Sequence, residues 1–200
     1  MPGDLILSTA YFPPAEYFNL IKSPGSVLIE QEENYIKQTY RNRCRILTSN
    51  GILTLSVPVM KGGKIKARVK DITVDYSKRW QQVHIRAMVS AYSRSPYFQF
   101  YFESLEEILL RNHKYLLDLN DQLLIKCLEI LNINKFPIHT SSYEADYAAD
   151  RDFRYSIEPG VVSGYSDKPY IQVFNGGEFV GRLSILDLIF NMGPESLRYL

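Results

Sequence analysis

The spacing of hydrophobic and polar positions changes along this chain, and each change marks an element. The run "LILSTA" at 5–10 is short, apolar and soon closed by Pro13 and Pro14, which predicts a strand entering a fixed loop. "AEYFNLIK" at 15–22 fits a short helix that stops before Pro24, and "VLIEQ" at 27–31 fits a second buried strand. Two strands joined by a helical crossover open an α/β fold. Between 35 and 59 the pattern turns extended, because "YIKQTYRNRCRI" and "ILTLSVPV" flank Asn50–Gly51, a strong hairpin turn pair. "IKARVKDITVDY" at 65–76 predicts a further strand pairing with that hairpin.

Beyond 80 the period becomes helical. Trp80, Val83, His84, Ala87, Met88 and Ala91 fall close to one face, and Leu123, Leu124, Cys127, Leu128 and Leu131 form a second apolar stripe. "FESLEEILLRN" reads as a helix between them. Residues 134–168 are polar, irregular and rich in tyrosine, serine and aspartate, as expected of a lid, an excursion or a poorly ordered region. "YIQVF" at 170–174 predicts a late strand, and "LSILDLIFNMG" at 183–193 a terminal helix. The expected fold class is α/β: a single compact domain with a mixed sheet and a helical carboxyl half.

Composition narrows the function. The 200 residues are 46% hydrophobic, enough for one substantial core. With 23 basic and 22 acidic residues the formal charge is +1, which argues against a large nonspecific nucleic-acid surface but leaves room for a local anion site. No apolar run reaches transmembrane length, and "MPGDLILSTAYFPP" lacks the features of a secretory leader, so a cytoplasmic location is expected. Cys44 and Cys127 lack CxxC spacing and read as small buried thiols.

The sharpest local feature is "QTYRNRCRI" at 38–46. On a strand, side-chain period two places Arg41, Arg43 and Arg45 on one face, with Asn42, Cys44 and Ile46 opposite. Charges this close must be hydrated, paired or matched by an anion. Guanidinium suits carboxylate and phosphate because its planar donors form parallel hydrogen bonds. Two main accounts stay open: a ligand-facing arginine row, or an internal network with Asp71 and Asp75 of the neighbouring predicted strand.

Other candidates carry paired readings too. His84 is either a proton carrier in a cleft or a hydrogen-bonded core histidine. Glu30 ends a predicted strand, where it serves as a base or pairs with an arginine. Ser184 and Asp187 resemble a capping box. The basic run at 61–70 lacks phosphate-loop spacing and reads mainly as a solvated loop. His113 and His139 have no nearby ligand partners in sequence, so no metal is expected.

Three stretches together resemble the WbqC-like family associated with bacterial surface-polysaccharide gene clusters: "YRNRCRILTSNGILTLSVPV", Trp80–His84 leading to "AYSRSPYFQFY", and "LSILDLIFNMG". The family's "NRNRI" pattern falls on Asn42, Arg43 and Arg45, with Cys44 at the middle asparagine and Arg41 as an extra basic residue. Its amino-terminal histidine position is occupied by Leu7. The resemblance implies one domain over 1–200 and a transferase of surface-polysaccharide biosynthesis. Its substrate would be small and anionic or sugar-derived: an activated sugar, a uronic acid or another anionic donor. Arg43 and His84 are then the expected catalytic residues, and Arg41, Asn42, Arg45 and Glu30 the expected substrate contacts, with no cofactor specified. The alternatives are a noncatalytic glycan-pathway binding or scaffold protein, and an RNA-binding module. A second copy of the chain or a glycan-pathway protein is the expected macromolecular partner.

Overall fold

β1 (Leu5–Ser8) and β2 (Val27–Glu30) pair in parallel, joined through α1 (Ala15–Ile21), as the amino-terminal pattern predicts. Both strands are almost wholly buried, which explains why their sequences are continuous apolar runs rather than alternating ones. The computed structural model describes residues 4–60, 67–174 and 176–200. β3 (Arg43–Thr48) and β4 (Gly51–Ser56) form the hairpin, with Asn50–Gly51 at its turn and Gly51 at φ 95°, a conformation that favours glycine. Three helices follow: α2 (Trp80–Tyr92), α3 (Phe98–Leu110) and α4 (Leu116–Ile130). The short strand β5 (Ile138–His139) adds to β2 in parallel, giving the order β1-β2-β5, and α5 (Ile185–Met192) leads into a closing 3-10 helix, Gly193–Tyr199.

The fold is α/β, a compact single domain with a helical carboxyl part. Parallel and antiparallel pairings are both present, divided between the three-stranded sheet and the hairpin. Ser184 N–H donates to the Arg45 carbonyl (2.7 Å), so the chain entering α5 lies along β3. The core runs from the β1–β2 sheet through Cys44, Ile46 and Leu55 of the hairpin to α2, α4 and α5.

Two predicted strands do not form. Within 65–76 the described residues give a single 3-10 turn, Val69–Asp71. Its backbone bonds go to three separate places: Val69 N–H to Glu33, Val74 N–H to the Lys114 carbonyl, and the Thr73 carbonyl to Met60 N–H. Alternation was present in the sequence, but no single partner strand takes it up. Residues 170–174 are also irregular, with Ile171 84% exposed. There the Gln172 side-chain amide bonds both backbone groups of Val180 (2.9 Å each) in place of a ladder. β5 is the converse case, a strand inside the stretch expected to be an excursion.

Candidate functional site

The carboxyl ends of β1 and β2 carry Ser8 and Glu30, the edge of a parallel sheet where ligands commonly sit. Here that edge is filled by the protein's own charges. Arg41, only 1% exposed, donates from Nε to Glu33 Oε1 (2.8 Å) and from Nη2 to Glu33 Oε2 (2.9 Å) and Ser8 Oγ (2.6 Å), while Nη1 bonds Glu158. Arg154, equally buried, grips Asp152 through Nε (2.9 Å) and Nη2 (2.6 Å) and reaches Glu30 Oε2 through Nη1 (3.3 Å). Glu30 also accepts from Thr140 Oγ1 (2.8 Å) and Glu32 N–H (2.7 Å). The remaining cavity, about 10 Å³ among Ser8, Arg41, Arg154 and Glu158, has room for about one water.

The electrostatics follow the geometry. The Arg154 hydrogen bond holds Asp152 below the usual carboxylate range, and burial lifts Glu158 above it against the pull of Arg41. Asp152, Arg154 and Glu158 all come from the irregular 134–168 stretch, which folds back over the sheet edge. Sequence reasoning missed them because nothing in their spacing marks them as partners of Arg41. It also missed Asn120, whose Nδ2 donates to the Arg41 carbonyl (2.8 Å) and Thr9 Oγ1 (3.0 Å). An asparagine inside the apolar stripe of α4 is a signal that could have found it.

The arginine row is therefore split. Arg41 turns inward and pairs with Glu33 and Glu158, not with the expected Asp71 and Asp75. Asp75 instead accepts from Ser77 N–H (2.8 Å). Arg43 and Arg45 stand half-buried on one face of β3. Arg43 has no carboxylate partner among the described residues, and its Nε is buried without any hydrogen bond. Arg45 lies against the Tyr40 hydroxyl, and Arg43 is close enough to Tyr35 to oppose the burial that pushes that phenol up to about 12. Arg182 is the second cation near Tyr40, with a left-handed backbone (φ 57°) and a buried, unbonded Nε.

Asn42 extends the hairpin, its Nδ2 bonding the Val57 carbonyl (2.8 Å) while its Oδ1 is left without a partner. Glu30 pairs with Arg154 rather than a hairpin arginine. His84 meets Tyr11 Oη through Nδ1 (2.8 Å) and the backbone of Ser56, the residue paired with Arg43 across the hairpin. Burial pushes its imidazole down to about 4, so it is neutral at pH 7. Of the basic run at 61–70, residues 61–66 lie outside the described residues. Arg68 and Lys70 pair with Glu32 at 2.5 and 2.6 Å. Among the described residues no helix is long and apolar enough to cross a membrane.

A closed carboxyl edge with two half-buried arginines on the adjoining hairpin face marks an α/β protein with a local cationic surface. The chain belongs to the WbqC-like protein family, whose pattern matches residues 9–157. It is also 30% identical to the uncharacterized protein Rv1507c of Mycobacterium tuberculosis over 222 aligned positions, covering 98% of this chain and 96% of that protein. No solved structure matches it.

Proposed function

We propose that this protein is a cytoplasmic transferase of bacterial surface-polysaccharide assembly, acting on an activated sugar, a uronic acid or another anionic donor. The observation that carries the reading is Arg43: a half-buried guanidinium with an unmet Nε, beside Arg45, with no carboxylate among the described residues to neutralise it. A phosphate or carboxylate relieves the repulsion of two adjacent cations and supplies the missing acceptor. Arg43 and Arg45 then orient the donor and stabilise negative charge that grows on the departing group, which accelerates transfer where they hold the transition state more tightly than the ground state. Asn42 fixes the strand that presents them. Arg41 acts at one remove, holding the start of the hairpin against the sheet edge.

A noncatalytic binding role is favoured by a different observation, the burial of His84, which holds its imidazole neutral against Tyr11. The two readings part in one experiment. Sugar nucleotides, uronic acids and amino acids are screened by calorimetry, and binders are followed for turnover. Arg43→Ala is expected to weaken anion binding about tenfold or more while the melting curve is retained. A binder without turnover supports the noncatalytic role, and equal binding by the variant removes the arginine face from either account.

A further inference from the structure

A cleft of about 910 Å³ opens at the carboxyl end of α5, away from the arginine face. Its walls include the rings of Tyr97, Tyr170, Phe179 and Tyr199, and Arg94 and Asn191 also border it. Tyr170 meets Phe179 and Tyr199 edge-to-face, at 5.0 and 5.7 Å between centroids, so the three rings form one continuous wall. That wall is anchored from below. Asp187, buried in α5, accepts from Tyr170 Oη (2.9 Å) and Gln172 Nε2 (2.8 Å), which fastens the irregular stretch around Tyr170 and Gln172 to the helix. On the opposite side, Gly193 leaves the space in which Tyr97 lies against the backbone.

Arg94 is exposed at the lip and pairs with no carboxylate among the described residues. Asn191 spends its Nδ2 on the Asp187 carbonyl (2.8 Å), which leaves its side-chain oxygen as an acceptor. The cleft thus offers apolar ring faces, the Asn191 acceptor, the Arg94 cation and the Glu195 carboxylate, which is engaged by Arg198 (2.5 Å), in a volume within the roughly 300–1,000 Å³ of small-molecule sites. We propose that it binds a nucleoside phosphate, with the base stacked on the tyrosine–phenylalanine wall and the phosphate held by Arg94. Base stacking on aromatic side chains tolerates any base, and guanidinium suits the phosphate. This site is separate from the Arg43–Arg45 face and does not depend on it.

The test is calorimetric titration of the whole chain with uridine diphosphate, adenosine diphosphate, uridine and glucuronic acid. Both diphosphates are expected to bind. Arg94→Ala, at an exposed position, weakens both about tenfold or more and leaves uridine unchanged; Phe179→Ala weakens both diphosphates and uridine. A failed hairpin site and a failed cleft are told apart by which variant loses the ligand: diphosphate binding that falls with Arg94→Ala belongs to the cleft, and binding that falls with Arg43→Ala belongs to the hairpin. The proposal is overturned if neither diphosphate binds, if their binding is insensitive to Arg94→Ala and Phe179→Ala, or if it is lost with Arg43→Ala. Binding of glucuronic acid alone, dependent on Arg94, likewise overturns it in favour of a carbohydrate site.

Discussion

Arg41, Arg43 and Arg45 share a residue type and a spacing, yet one is sealed among carboxylates and two are not. Residue identity sets what a side chain can do, and its neighbours set what it does. His84 makes the same point through pH. Its folded value of about 4 lies below the ordinary 6.5, so the unfolded chain takes up the proton more readily. The neutral form costs nothing above the unfolded value. Stability is lost as pH falls from about 6.5 towards 4, by about 3 kcal/mol at most. His139 runs the other way, because its bond to Asp121 (2.8 Å) raises it. Its contribution is complete below 6.5 and fades as pH rises through the folded value. NMR titration of the imidazoles should find His84 changing near pH 4 and His139 above 6.5; a folded-state His84 titrating near 6.5 would contradict its burial.

At the scale of elements, the hairpin and the helices were legible because their signals are local. Asn50–Gly51 supplies a turn, and the apolar stripes of α2 and α4 repeat with the helical period. The strands expected at 65–76 and 170–174 failed because alternation needs one continuous partner edge: the described residues of the first divide their bonds among several segments, and the second is held by the Gln172 side chain. Gly193 shows how an element's end can shape a cleft. It sits at φ 51°, ψ −124°, and an added Cβ would lie 2.4 Å from the Tyr97 ring. Gly193→Ala is therefore expected to destabilise the fold by about 1–3 kcal/mol and to displace Tyr97. Chemical denaturation reads the first effect, and an unchanged midpoint would show that the turn relaxes without cost.

Across the whole molecule, the Arg41 network joins parts far apart in sequence: Ser8 of β1, Glu33 after β2, the start of the hairpin, and Glu158 from the 134–168 stretch. Arg41→Ala leaves the Glu33 carboxylate buried with its guanidinium partner gone and is expected to cost about 3–5 kcal/mol. Glu33→Gln, which keeps an acceptor, should cost less. Equal, small losses in both variants would mean the network tolerates opening, and the melting temperatures decide it.

By itself the sequence determined the opening β–α–β unit, the hairpin, the helical carboxyl half and the cationic face of β3, since each is written in residues close together along the chain. The tertiary structure alone decided which arginine is paired, that Glu30 meets Arg154, that His84 is neutral and enclosed, and that a ring-lined cleft exists beside α5. Those outcomes depend on contacts between residues such as Arg41 and Glu158, or Tyr170 and Asp187, that fold together from distant segments. Local periodicity fixes which way a side chain points, while desolvation and charge pairing depend on what the rest of the chain places there.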